Sequence, residues 1–160
     1  MQNKAKILEQ FSRARDEVRA LLPSLDIHTE IYPGWTIKEV LAHLAGWDDA
    51  TILALKAFIN GAPPIVPAIR GIDTYNSQTV AERTSLNYEQ VVREWEWVRD
   101  QLNQVLDQFP DEKLDAIIVA PWGVSLTVAQ LIEEMGQHEE EHAEAIRTRQ
   151  ANPGKPLPAH

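Results

Sequence analysis

The chain contains no cysteine. That excludes disulfides, thiolate metal sites and a cysteine nucleophile, so any metal has to be held by His, Asp or Glu. It also lacks an apolar run of membrane-spanning length, and "MQNKAKILEQF" reads as a charged amphipathic start rather than a leader. A cytoplasmic protein with no membrane association is expected. Basic residues are few: 15 Lys and Arg face 24 Asp and Glu, a net charge of −9. With no local Lys/Arg cluster to offset it, this surface repels phosphate backbones, so nucleic acid is not an expected partner.

What is present is helical periodicity. A first helix is predicted over about 3–22, with Ile7, Phe11, Ala14, Val18 and Leu21 on one stripe. A second starts at Thr36, whose spacing to Glu39 is that of a capping box, and runs to about 59. The connection that follows is Pro-rich in its first half and fits a short helix at about 73–83. A third long helix covers about 88–109. "DAIIVAPWGVSLT" then reads as extended or turn, and a fourth helix starts at Thr127, again with capping-box spacing to Gln130. Four amphipathic helices and no confident strand predict an all-α four-helix bundle, with one domain over 1–150 and a flexible tail over 151–160. The connection between the second and third long helices is long enough to cross the bundle.

Five histidines are present. His28 and His160 fall in a loop and in the tail and read as exposed. His138 and His142, in "GQHEEEHAEAI", differ. Four residues apart, they share one helix face, within the stripe of Val128, Leu131, Met135, Ala145 and Ile146. Two inward imidazoles must be hydrogen-bonded or metal-bound, because an unpaired buried polar group costs a few kcal/mol. His43 lies at the edge of the second helix's stripe, on the side of Trp47, Ala50 and Ala54, where small residues allow close approach of another helix. Most of the intervening glutamates read as solvated surface, although their negative field favours a cation nearby.

"GWTIKEVLAHLAGWDD" followed far downstream by "SLTVAQLIEEMGQHEEEHAEAI" resembles the DinB/YfiT-like metalloenzyme superfamily, and "GIDTYNSQTVAERTSLNYEQVVREW" is similar to its ClbS/DfsB-like branch. The resemblance covers about 1–150. It implies an up-down-down-up bundle, a divalent metal (zinc or nickel, with iron or manganese as further options) on His43, His138 and His142, a small-molecule substrate, and a homodimer. It further implies thiol-dependent transfer or isomerisation with a low-molecular-weight thiol, or hydrolysis, which in the ClbS-like branch is metal-independent. A non-enzymatic ligand-binding bundle is the remaining reading.

Around such a site, Asp48 and Glu141 are the candidate catalytic acids. Asp48 is an acid in the middle of an apolar stripe, and Glu141 borders the histidine face. Trp47, one turn beyond His43, is a candidate pocket wall; Tyr75 and Asn76 are candidate neighbours of Asp48 and of the pocket. Trp122, in a Pro-Trp-Gly turn before the last helix, could lie over the mouth. Trp35 and Trp95 read as core, and Trp95 and Trp97 cannot both face it.

Overall fold

The helices form where the apolar stripes and caps put them. The computed structural model describes residues 3–154 and 157–160. Its long helices are α1 (Lys4–Leu21), α2 (Ile37–Ile59), α4 (Tyr88–Gln108) and α5 (Val128–Ala151), with a shorter α3 (Ile72–Ala81) in the connection. Both expected capping boxes are made: the Thr36 backbone N–H donates to Glu39 Oε2 at 3.0 Å, and that of Thr127 to Gln130 Oε1 at 2.9 Å.

Contacts at successive levels fix the helix order. Ile7 and Phe11 of α1 lie beside Ile132 and Gly136 of α5, and higher up Glu17 pairs with Arg147 at 2.8 Å, so α1 and α5 run parallel. Asp48 pairs with Arg99, and a turn or more further on Phe58 stacks on Phe109 at 6.0 Å, so α2 and α4 are parallel as well. Phe11 packs in one cluster with Trp47 and Leu55, whereas Val18 packs with Val40 and Leu41, so α1 and α2 are antiparallel. The bundle is therefore up-down-down-up, and the 60–87 connection carrying α3 makes the crossover.

Two short hairpins add strands that the sequence reading did not assign. β1 (Glu30–Tyr32) pairs antiparallel with β2 (Trp35–Thr36), and β3 (Ile117–Val119) with β4 (Ser125–Thr127). The first is closed by Pro33-Gly34, and Gly34 has a φ of 79°, the left-handed conformation that a Pro-Gly turn requires at its second position. Each hairpin leads directly into a helix, β2 into α2 and β4 into α5, so each aims a histidine-bearing helix.

The core is split in two. One cluster holds Phe11, Leu55, Leu102 and Leu131; the other holds Val18, Leu41, Trp95 and Ile146. Between them lies a buried charged layer: Arg15, Asp48, Arg99 and Glu139, one residue from each long helix. Arg99 Nε donates to Asp48 Oδ2 at 2.9 Å, Arg15 Nη2 to the same oxygen at 3.1 Å, and both guanidiniums to Glu139 at 2.5 Å. Two cations and two anions leave the layer neutral. Arg15 also stacks over Trp95 at 3.9 Å and Arg99 over Phe11 at 4.0 Å. Burial works to raise the Glu139 carboxyl, but the charges of Arg99 and Arg15 outweigh it and hold it below its usual range. No described helix is long and apolar enough to cross a membrane.

Candidate metal centre

One turn of α2 and two turns of α5 face each other at the edge of this charged layer. Glu139 points into the layer while His138, its neighbour, points out of it towards α2; Asp48 and Trp47 divide in the same way. His43 and His142 are fully buried and His138 is half-buried. The Nε2 atoms of His43 and His138 are 3.0 Å apart, as are those of His142 and His138. The sequence-predicted trio is thus brought together.

A fourth imidazole joins them. His160 is exposed, as expected, yet places Nε2 3.1 Å from that of His43, and one ligand atom from each of the four histidines lies within 4.8 Å of every other. Its ring packs on Tyr32 at 5.2 Å and Trp35 at 5.6 Å. The expectation of a flexible tail over 151–160 carries no signal of this contact, because nothing in helical periodicity reports on a segment that docks as an extended chain. Lys155 and Pro156 lie outside the described residues.

The donor set fits a divalent cation. A ring nitrogen presents either one in-plane proton or one in-plane lone pair. His138 Nε2 faces two other nitrogens at once, and so does His43 Nε2, and one proton cannot serve both. A cation among the lone pairs removes the conflict. Two metal–nitrogen bonds of about 2.05 Å at a tetrahedral angle put the nitrogens about 3.3 Å apart, close to the spacing observed. Burial, reinforced by the neighbouring imidazoles, pushes the proton affinity of His43 and His142 well below the usual histidine value, and His138 down to about 4. The three rings are therefore neutral at neutral pH, each with one nitrogen lone pair available to a cation.

The outer contacts are unequal. Tyr32 Oη lies 2.9 Å from His142 Nδ1. Burial first, and then the charge of Glu141, push the Tyr32 phenol up to about 12, so it stays protonated. His43 Nδ1 has no hydrogen-bond partner among the described residues, and its ring is instead packed by Trp35 at 5.1 Å. Trp35, expected in the core, is half-buried and walls the site.

Beside the histidines opens a cavity of about 360 Å³. Of the expected wall residues, Trp47, Asn76 and Trp122 line it; Tyr75 supports Trp47 from behind, at 4.8 Å between rings, and donates to the Gly46 carbonyl at 2.6 Å. Trp47 Nε1 donates to Asn76 Oδ1 at 2.8 Å. The sequence reading missed Ile72, Asp73 and Met135, which share the lining with Glu134. Asp48 lies in the charged layer, with both carboxylate oxygens taken by arginines, and does not line the cavity. Glu141 is exposed on α5 and does not line it either, although its charge acts on Tyr32 and His160. Trp95 is buried in the core, while Trp97 is 61% exposed.

The same architecture occurs in solved proteins. An uncharacterised protein from Escherichia coli UTI89 superposes with a TM-score of 0.80 at 16% identity, covering 98% of each chain. The Sibling Lethal Factor Precursor DfsB does so with a TM-score of 0.80 at 16% identity, over 97% of this chain and 99% of that one. A mycothiol-dependent maleylpyruvate isomerase gives a TM-score of 0.71 at 15% identity, over 91% of this chain and 63% of that one. In sequence, the chain is 26% identical over 127 residues to the uncharacterized protein YuaE of Bacillus subtilis (strain 168), covering 71% of this chain and 75% of the relative. The sequence model of the DinB superfamily matches residues 10–146, a span that takes in both histidine-bearing helices, and the chain belongs to that superfamily.

Proposed function

We propose that this protein is a divalent-metal-dependent enzyme acting on a small molecule, with His43, His138 and His142 holding the ion. The observation that carries this reading is the convergence of three low-basicity Nε2 atoms, those of His43 and His142 each 3.0 Å from that of His138, with His43 and His138 at the wall of a cavity. When bound, such an ion supplies Lewis acidity toward a carbonyl, a thiol or a water. Zinc or nickel suits an all-imidazole set, as do iron and manganese in other geometries.

The chain's own residues define what enters. Trp47, Trp122, Ile72 and Met135 exclude water and favour an apolar body, while Asp73 and Glu134 are the charged side chains of the lining, with no Lys or Arg among its described residues. A neutral or cationic substrate is accepted more readily than a dicarboxylate. For Asp48 we propose a structural role, since its ion pairs fix the phase of α2. Glu134 faces the cavity and is better placed than Glu141 to exchange a proton with a substrate. A low-molecular-weight thiol as co-substrate and a homodimer belong to the same proposal; the likeness of fold to the mycothiol-dependent maleylpyruvate isomerase supports the first.

Elemental analysis of protein prepared without a histidine tag tests the reading. About one equivalent of metal is expected, falling below about a tenth in His138→Ala, with a lower melting temperature after chelation. Metal below that level in the unaltered protein, with no thermal shift on adding zinc, nickel, iron or manganese, overturns it.

A further inference from the structure

The C-terminal segment returns to the histidine cluster although α5 carries the chain away from it. His142 lies nine positions before the helix end at Ala151, about 14 Å at 1.5 Å per residue. The nine residues from Ala151 to His160 can span about 30 Å, so the segment has slack to double back. It is held at three points. Arg149, itself buried, donates to the Glu30 carbonyl at 2.8 Å and to the Asn152 carbonyl at 2.8 Å, tying the start of the segment to β1. Leu157 packs against the cluster of Val18, Ile31 and Trp95. His160 ends between Tyr32 and Trp35 with Nε2 at the other histidine nitrogens. Pro153 and Pro158 limit the freedom that such docking must remove.

We infer that His160 is an intramolecular fourth ligand, which occupies the coordination position that a substrate would take and must leave before one can bind. This rests on the metal reading above. Three imidazoles leave a divalent ion an open position. His160 is the one donor of the four that comes from outside the bundle helices, and it also lines the cavity. Its ring stands both at the metal position and in the substrate's space, so binding of a thiol or another metal-seeking group and docking of the segment are mutually exclusive. The resting protein is closed to small ligands, and it opens by detachment of a short strap without rearrangement of the bundle.

Cobalt(II) reports this directly through its ligand-field absorption, and azide serves as the competing ligand. Apo-protein and His160→Ala, both untagged, are titrated with cobalt(II) and then with azide. In His160→Ala the cobalt affinity is expected to fall about tenfold or more, comparable to or larger than the loss of an outer-shell contact, and the azide affinity to rise by a similar factor. Azide affinity equal in the two proteins, with cobalt bound by both, overturns the inference and leaves the three-histidine centre standing. Cobalt bound by neither protein overturns both.

Discussion

Tyr32 Oη and His142 Nδ1 lie 2.9 Å apart, on the side of the imidazole opposite the cluster. The phenol, ending the first strand of a hairpin, thereby contacts a ring 110 residues away. A metal on Nε2 would place the ring proton on Nδ1, where the phenol oxygen can accept it. Tyr32→Phe is expected to weaken metal binding by about ten- to a hundredfold without loss of helix content. Competition against a chromogenic chelator, alongside far-ultraviolet circular dichroism, measures both; an unchanged affinity would show that the phenol merely fills space.

The charged layer predicts a different kind of failure. Glu139 accepts from both Arg15 and Arg99 and is 1% exposed. Glu139→Ala leaves a buried guanidinium pair facing the single charge of Asp48, which should cost about 3–5 kcal/mol. Urea unfolding of the apo-protein reads this without interference from metal. A loss under about 1 kcal/mol would mean that water reaches the arginines.

That layer also shows where the sequence was legible. The phase of α5 turns His138 and His142 inward and leaves Glu140 on the surface, because 100° per residue is rigid over two turns, whereas Glu141, expected to border the histidine face, is exposed. It gave no signal for the burial of Glu139, because a carboxylate is buried only when cations from other helices meet it, and Arg15 is 124 residues away. A charge at a stripe position was the available signal: Arg15 sits four after Phe11 and Arg99 four after Trp95. Tyr32 and His160 carried no periodic signal, since one lies in a three-residue strand and the other beyond the last helix. Their places follow from tertiary packing alone.

The depressed histidines give the apo-protein a pH signature. His43, His142 and His138 bind protons less readily folded than unfolded, mainly through burial, His138 reaching about 4. Between the ordinary histidine value and that level the unfolded chain therefore holds more protons than the native one, and stability falls as pH falls. Above pH 7 the histidines contribute no slope. Apo-protein is expected to lose on the order of a few kcal/mol between about pH 6.5 and 4, and His138→Ala to lose less. Glu139, held low by its arginines, adds its own loss only below the usual carboxylate range. Melting temperatures across this interval, in chelator, measure the slope; parallel curves for both proteins would place His138 in water.

Two helical glycines that look alike in the sequence should respond oppositely to alanine. A Cβ on Gly46 would meet Thr79 Oγ1 at 2.0 Å, inside any tolerable contact. Thr79 cannot retreat freely: it is 2% exposed and its carbonyl accepts from Arg83 Nη1 at 3.0 Å, while Arg83 also pairs with Asp49 and Glu94. Gly46→Ala must therefore push α3 off α2, at a cost of about 1–3 kcal/mol. The displacement is felt at the centre, because α3 carries Asp73 and Asn76 into the cavity and Asn76 holds Trp47. On Gly136, by contrast, a Cβ would sit 3.7 Å from Phe11, an ordinary contact, so Gly136→Ala should gain up to about 1 kcal/mol from helix propensity. Denaturation midpoints of the two variants, with the fluorescence of Trp47 followed in each, decide it. Equal and small effects would mean that α3 moves on α2 without resistance, and that the cavity wall it carries is adjustable rather than fixed.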